Sequence, residues 1–236
     1  MRFVSDLAIL TAQPRDVTNR TKKKAYGVLV HTTGVGVLAR AQKWKCTPLK
    51  AAERIYSKRG ASFAHYVIGQ DGTIIQIADE RERAWQAGMP REQLKLYKSG
   101  MWVKKCPRRI VKMWEDRWGP GSTPADLYPS RSPNNDYIGI EMVPNKNTKF
   151  SKSQLEIGLP ALVADIFIRH GIKFSAKDLM STRLLGHEDV EPLERWNRRG
   201  GWDPGTLRDR PKFKWDDVYK TVHKLMKGKY NHSRTT

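Results

Sequence analysis

Hydrophobic and polar positions in this chain follow two different periods, and their succession predicts strands alternating with helices. Ala25 to His31 (AYGVLVH) is an unbroken apolar run rich in β-branched residues, the pattern of a buried strand. Thr47-Pro48 then opens a helix to about Ser57, with Thr as the N-cap and Pro at the first helical position. FAHYVIGQDGTIIQIAD reads as a hairpin turning at Gln70-Asp71-Gly72, and Tyr137 to Val143 as a further strand. Ser151-Lys152-Ser153-Gln154 has capping-box spacing, and a helical apolar pattern follows it to His170, where Gly171 stops it. A last amphipathic helix spans about Trp215 to Lys227, with a basic tail over about 228–236 that is expected to fray. The fold class expected is α/β, a mixed central β-sheet flanked by helices in one domain over residues 1–236.

The pattern breaks over about 89–134. This stretch is basic, holds no sustained period, and carries Trp102, Trp114, Trp118 and a Gly-Pro-Gly. It reads as a long insertion with a short helix near Arg108 to Trp118; loops of this length usually serve a function or lack order.

Composition changes the picture in one respect. At 39% hydrophobic residues with eight Trp, the chain can form a core, but 44 Lys+Arg against 24 Asp+Glu leave it at +20. A charge of that size calls for a polyanionic partner or environment, and nucleic acid, anionic lipid and anionic wall polymers all answer to it. Cys46 and Cys106 stand far apart without a CxxC, which reads as two unpaired thiols in a reducing compartment. Asp6 interrupts the short apolar run near the N-terminus, so a secretory signal is not expected. No stretch has the length of a membrane-spanning helix, so synthesis in the cytoplasm and no stable membrane insertion are expected.

Three side chains stand out as candidate metal ligands. His31 ends the first buried strand before the turn Thr32-Thr33-Gly34, where α/β folds place their sites. His187 lies in Gly-His-Glu-Asp, and Asp203 in the turn-forming Gly201-Trp202-Asp203-Pro204-Gly205. Two imidazoles and a carboxylate with an open fourth position make a catalytic zinc site. Their spacing does not by itself demand that they meet, and His31 reads equally well as a core histidine bonded to backbone. On the strand Tyr137–Val143, alternation puts Tyr137, Gly139 and Glu141 on one face, with Asp136, Ile138 and Ile140 on the other. A carboxyl buried away from cations holds its proton more tightly, which suits general acid/base work; a solvated edge-strand Glu141 is the alternative.

Four ordered motifs carry a resemblance. VLVHTTG (28–34), SFAHYVIGQDGTIIQIAD followed by AWQAG (84–88), NDYIGIEM (135–142) and GHEDV…GWDPG (186–205) resemble the N-acetylmuramoyl-L-alanine amidase family. That family takes in phage lysozyme-type amidases, anhydromuropeptide amidases and peptidoglycan-recognition proteins. The resemblance implies a Zn2+ cofactor held by His31, His187 and Asp203, and Glu141 as the catalytic acid/base. Some members carry a catalytic Tyr where this chain has Ala64, as expected of a branch that uses Glu. Several place a Lys two residues before the ligand Asp; here Gly201 stands there, and Arg198 or Arg199 are the cations at hand for the oxyanion. Arg199 and His65 are candidate substrate contacts, His65 reading equally as a packing residue.

The resemblance implies hydrolysis of the lactyl-amide bond of bacterial peptidoglycan, in an endolysin of phage type made without a signal and acting on the wall after release. The positive charge then suits an anionic envelope surface, and the Trp-bearing insertion either stacks against glycan or covers the fold. A wall-recycling cytoplasmic amidase and a non-catalytic peptidoglycan-binding module are the alternatives. No nucleic-acid-binding motif accompanies the basic residues, so nucleic acid is not expected as a partner.

Overall fold

The computed structural model describes residues 9–11, 24–58, 63–87, 91–127, 130, 132–145, 147, 149–174, 182–197 and 213–232. Strands β1 (Ile9–Thr11), β2 (Gly27–Thr32), β3 (Tyr66–Ile68), β4 (Ile74–Gln76), β5 (Tyr137–Met142) and β6 (Leu184–Gly186) form one mixed sheet in the order β1-β4-β3-β5-β2-β6. The expected hairpin is there: β3 and β4 pair antiparallel, while β2 is parallel to both β5 and β6. β2 and β5 are apolar on both faces because both faces are covered.

One face of the sheet, bearing Val28, Val30, Ile138 and Ile140, packs on α6 (Leu159–His170) and α9 (Trp215–His232). The capping box before α6 forms reciprocally: Gln154 N–H donates to Ser151 Oγ at 3.1 Å, and Ser151 N–H to Gln154 Oε1 at 3.0 Å. The entry is not regular, however. A π-turn occupies Ser153–Gly158, where Pro160 brings no N–H and its ring crowds the carbonyl four residues back. Gly171 ends α6 at φ +65°, as its position predicts. α9 runs on to His232, five residues beyond the expected end at Lys227, so the first part of the tail is helical.

The opposite face is shared. Helix α1 (Gly34–Lys43) begins where only a turn was expected; its two glycines disguise it, and it is held by burying Val37 and Ala41. α2 (Pro48–Tyr56) starts as the Thr-Pro pair predicts, Thr47 Oγ1 accepting from Lys50 N–H, and buries Ala51 and Ala52 in the same cluster. The expected insertion folds into α3 (Arg91–Lys98), a 3₁₀ turn (Met101–Lys104), α4 (Arg108–Trp118), a second 3₁₀ turn (Pro124–Leu127) and α5 (Pro133–Asp136). It packs Tyr97, Trp102, Ile110 and Trp114 against Leu29, Tyr137 and Leu185. Trp102 meets Trp114 edge-on at 5.5 Å between centroids, and Trp114 Nε1 donates to Ser122 O at 3.1 Å. Of the two expectations for this segment, covering the fold is what Trp102 and Trp114 do: both are buried, so neither is a stacking platform for glycan.

Cys46 and Cys106 are free thiols, and burial pushes Cys106 up to about 11, out of reactive range at neutral pH. Among the described residues no helix is long and apolar enough to cross a membrane.

A buried polar cluster ties the end of the hairpin to α6. Glu80 accepts from Tyr66 Oη at 2.9 Å, from Arg169 Nη2 at 2.9 Å and from His170 Nε2 at 2.9 Å, while His170 Nδ1 accepts from Ala25 N–H at 2.9 Å. Burial opposes the charged form of Glu80, but the hydrogen bonds from His170, Arg169 and Tyr66 and the Arg169 charge outweigh it and hold the carboxyl down at about 2. A depressed folded-state pKa contributes stability above the ordinary value of 4.5 that is lost as pH falls toward about 2. The contribution is about 3 kcal/mol at neutral pH. Chemical denaturation should therefore show a fall in stability between pH 5 and 2 that Glu80→Gln flattens; an unchanged acid limb in the variant would contradict this.

Candidate metal centre

The parallel pairings of β2 decide what stands beside His31. Val30 is the Cα partner of Gly186 in β6, and α7 (His187–Val190) begins at the very next residue. Asp189 Oδ2 accepts from Gly186 N–H at 2.8 Å and sets the turn at which His187 leaves the strand. Both imidazoles thus stand at the C-terminal ends of neighbouring parallel strands, the usual place for sites in such sheets. Their rings lie 4.5 Å apart at 71°, both residues are buried, and His31 Nδ1 and His187 Nδ1 face each other at 2.9 Å.

On the other side of β2, His31 is the Cα partner of Glu141 in β5. Paired residues of adjacent strands project to the same face, so the Glu141 side chain stands next to the His31 ring, and it is only half-buried. Tyr137 lies in the cluster on this face and Ile138 and Ile140 in the cluster on the other, which is the facing that alternation predicts. The strand is central, so an edge-strand Glu141 does not apply.

Gln86 orients His31. Its Nε2 donates to Tyr137 O at 2.9 Å, which turns Oε1 toward His31 Nε2 at 3.2 Å. An amide oxygen only accepts, so this contact places the His31 proton on Nε2 and leaves Nδ1 unprotonated. The loop holding Gln86 is itself fixed, because Asn134 Oδ1 accepts from both Gln86 N–H (3.1 Å) and Ala87 N–H (2.8 Å). Gly139 makes room: a Cβ there would come within 1.6 Å of Gln86 Oε1. On the outer side of the second imidazole, His187 Nε2 is 2.9 Å from Glu191 Oε2 and 3.2 Å from Arg195 Nη2.

His65 belongs elsewhere. It is buried, its Nδ1 accepts from Gly139 N–H at 2.9 Å, and its Nε2 lies 3.1 Å from Glu82 O. Both ring nitrogens are engaged with backbone, so His65 ties the hairpin to β5. These contacts are those of the packing alternative for His65. Asp203, Arg198, Arg199 and Gly201 lie outside the described residues. Among the described residues no group of three His, Cys, Asp or Glu converges as a metal set. The donors that are present do suit a metal: two imidazole nitrogens aimed at one point, one of them held in the required tautomer by its outer neighbour.

Comparison with known proteins decides the family. The pattern of the N-acetylmuramoyl-L-alanine amidase family matches residues 21–206. The chain belongs to the N-acetylmuramoyl-L-alanine amidase family. None of the curated proteins compared with it matches in sequence. Among solved structures, a selenomethionine derivative of AmpD is similar at 17% identity and a TM-score of 0.54, covering 91% of this chain and 94% of that one. The hydrolase AmiA of Staphylococcus aureus, in complex with its ligand, is similar at 14% identity and a TM-score of 0.50, covering 95% and 85%. At such identities the likeness is one of fold. This member of the family is a peptidoglycan amidase, a hydrolase that opens an amide.

Gln86 and Glu191 carried no role in the sequence reading. Gln86 stood inside a quoted motif, and Glu191 is four residues after His187, a spacing that puts two side chains on one helical face. Gly139→Ala tests the Gln86 arrangement. The added methyl should expel the amide, costing about 1–3 kcal/mol of stability by overpacking. Metal affinity should fall with it, as read by thermal melts of the metal-free protein and by zinc titration; wild-type values in both would contradict the account.

Proposed function

We propose that this protein is a zinc-dependent N-acetylmuramoyl-L-alanine amidase that cuts the lactyl-amide bond of bacterial peptidoglycan, in the role of a phage-type endolysin. The observation that carries this reading is the meeting of His31 Nδ1 and His187 Nδ1 at 2.9 Å, with Glu141 paired to His31 across the sheet. His31, His187 and Asp203 would hold the zinc, Asp203 on the strength of its motif GWDPG. Bound there, zinc lowers the pKa of water and polarises the amide carbonyl.

Glu141 takes the proton of the attacking water as the new C–O bond forms, then hands it to the alanine nitrogen as the C–N bond breaks. Its half-buried place beside His31 lets it reach both water and substrate. With Gly201 two residues before Asp203, Arg199 is the cation proposed to meet the carbonyl oxygen as charge develops on it. The excess of 20 positive charges supports accumulation at an anionic envelope surface once the enzyme is released onto the wall.

Chelation should abolish release of stem peptide from purified peptidoglycan, and zinc should restore it. Glu141→Ala should keep wild-type zinc binding while losing at least about 100-fold in turnover. Full activity in that variant would exclude Glu141 as the acid/base, and a zinc-free wild type that remains active would exclude the metal. Activity on whole walls should fall steeply between about 0.1 M and about 1 M salt, as the screening length drops from about 10 Å to about 3 Å. Lysis that ignores salt would remove the electrostatic argument.

A further inference from the structure

We propose that Glu191 is the positioning residue of the metal centre, accepting the Nε2–H of His187 so that the Nδ1 lone pair points at the metal position. The inference deepens the zinc reading above and rests on it.

Glu191 Oε2 lies 2.9 Å from His187 Nε2, and the two side chains are 2% and 3% exposed. The contact is intrahelical in spacing, but Glu191 itself sits just past α7, where the backbone is pinned from both sides. Glu191 N–H donates to His187 O at 3.1 Å, and Arg195 N–H donates to Glu191 O at 3.1 Å in α8 (Pro192–Asn197). Pro192 further restricts the residue before it. The carboxylate is thus set by backbone constraints and not by the rotamer choice of a free surface chain.

Two neighbours compete for Nε2. A carboxylate accepts and a guanidinium donates, so Nε2 cannot serve Glu191 and Arg195 at once. The Glu191 contact is the shorter, 2.9 Å against 3.2 Å for Arg195 Nη2, and its two partners are both buried, where a charge-assisted hydrogen bond is strongest. Nε2 therefore carries the proton and Nδ1 is bare.

The consequence concerns the pair. Gln86 imposes the same tautomer on His31 from the opposite side of the site. Two bare Nδ1 lone pairs then face each other at 2.9 Å, an arrangement that repels unless a cation stands between them. Glu191 and Gln86 together make the point that both Nδ1 atoms face a place for a cation. Three acidic residues follow His187 within four positions, and their tasks differ: Asp189 caps the turn at Gly186, whereas Glu191 is the one that reaches Nε2.

The test uses the full chain with Glu191→Leu and Glu191→Gln. Imidazole ¹⁵N–¹H correlation spectra of the metal-free protein read the tautomer, and competition with a chromophoric chelator reads zinc affinity. In wild type His187 should be the Nε2–H tautomer. Glu191→Leu should lose that preference and bind zinc about 10- to 100-fold more weakly. Glu191→Gln, which keeps an acceptor oxygen, should retain the tautomer and lose less than Glu191→Leu. Zinc affinity within twofold of wild type in a folded Glu191→Leu, or an Nδ1–H tautomer of His187 in wild type, would overturn the proposal. Where Glu191→Leu does not fold, the wild-type tautomer and the Gln variant decide. A wild type that binds no zinc defeats the functional reading instead, and the His187 tautomer is still read without metal.

Discussion

β2 is hydrogen-bonded on both sides by parallel strands, and the site depends on that double pairing. Through β6 it brings His187 against His31; through β5 it brings Glu141 beside the same ring. Parallel neighbours end together at one edge of the sheet, so side chains far apart in sequence are delivered to one place without any loop having to fold precisely. Tyr219 Oη, donating to Leu184 O at 2.7 Å, holds the short outer strand β6 from the other layer. The registers that bring the two imidazoles together are thus supported from both faces.

Around the strand ends, the same face of the sheet is covered unequally. The Trp102–Trp114 cluster covers the side toward Leu29 and Tyr137, and α1 with α2 cover the side toward Val67 and Val143. His31, Gly139 and Glu141 fall in the strip between the two clusters. This segment therefore has a structural duty, since it covers Leu29 and Tyr137 and carries Asn134, which fixes the loop of Gln86. Gly139 is needed here for space and not for a turn. Its missing side chain is what admits the amide that orients His31.

The polar contacts show the same division of labour. The Glu80 cluster binds hairpin to helix with every partner supplied by the fold, and is a stabilising device. Around the two imidazoles the inner nitrogens face each other, and the outer ones are taken up by protein acceptors. An arrangement that leaves like groups facing is tolerated where a ligand is to be received.

Much of this was legible along the chain because it is local. The strand ending at His31, the Thr47 cap, the hairpin turn, the Ser151–Gln154 box and the Gly171 stop each depend on a few neighbouring residues, and each stands where the pattern puts it. The facing of Glu141 followed from period two. The family, too, was readable from ordered motifs. What the chain by itself could not decide is anything resting on contact between distant segments. Helix α1 exists through burial of Val37 and Ala41 despite its glycines, and the insertion acquires its helices by packing Trp102 and Trp114 on the sheet. His65 ties the hairpin to β5 because its ring meets Gly139 and Glu82. The roles of Gln86 and Glu191 arise in the same way, since a hydrogen-bond acceptor has a function only once folding has put a particular ring nitrogen in front of it.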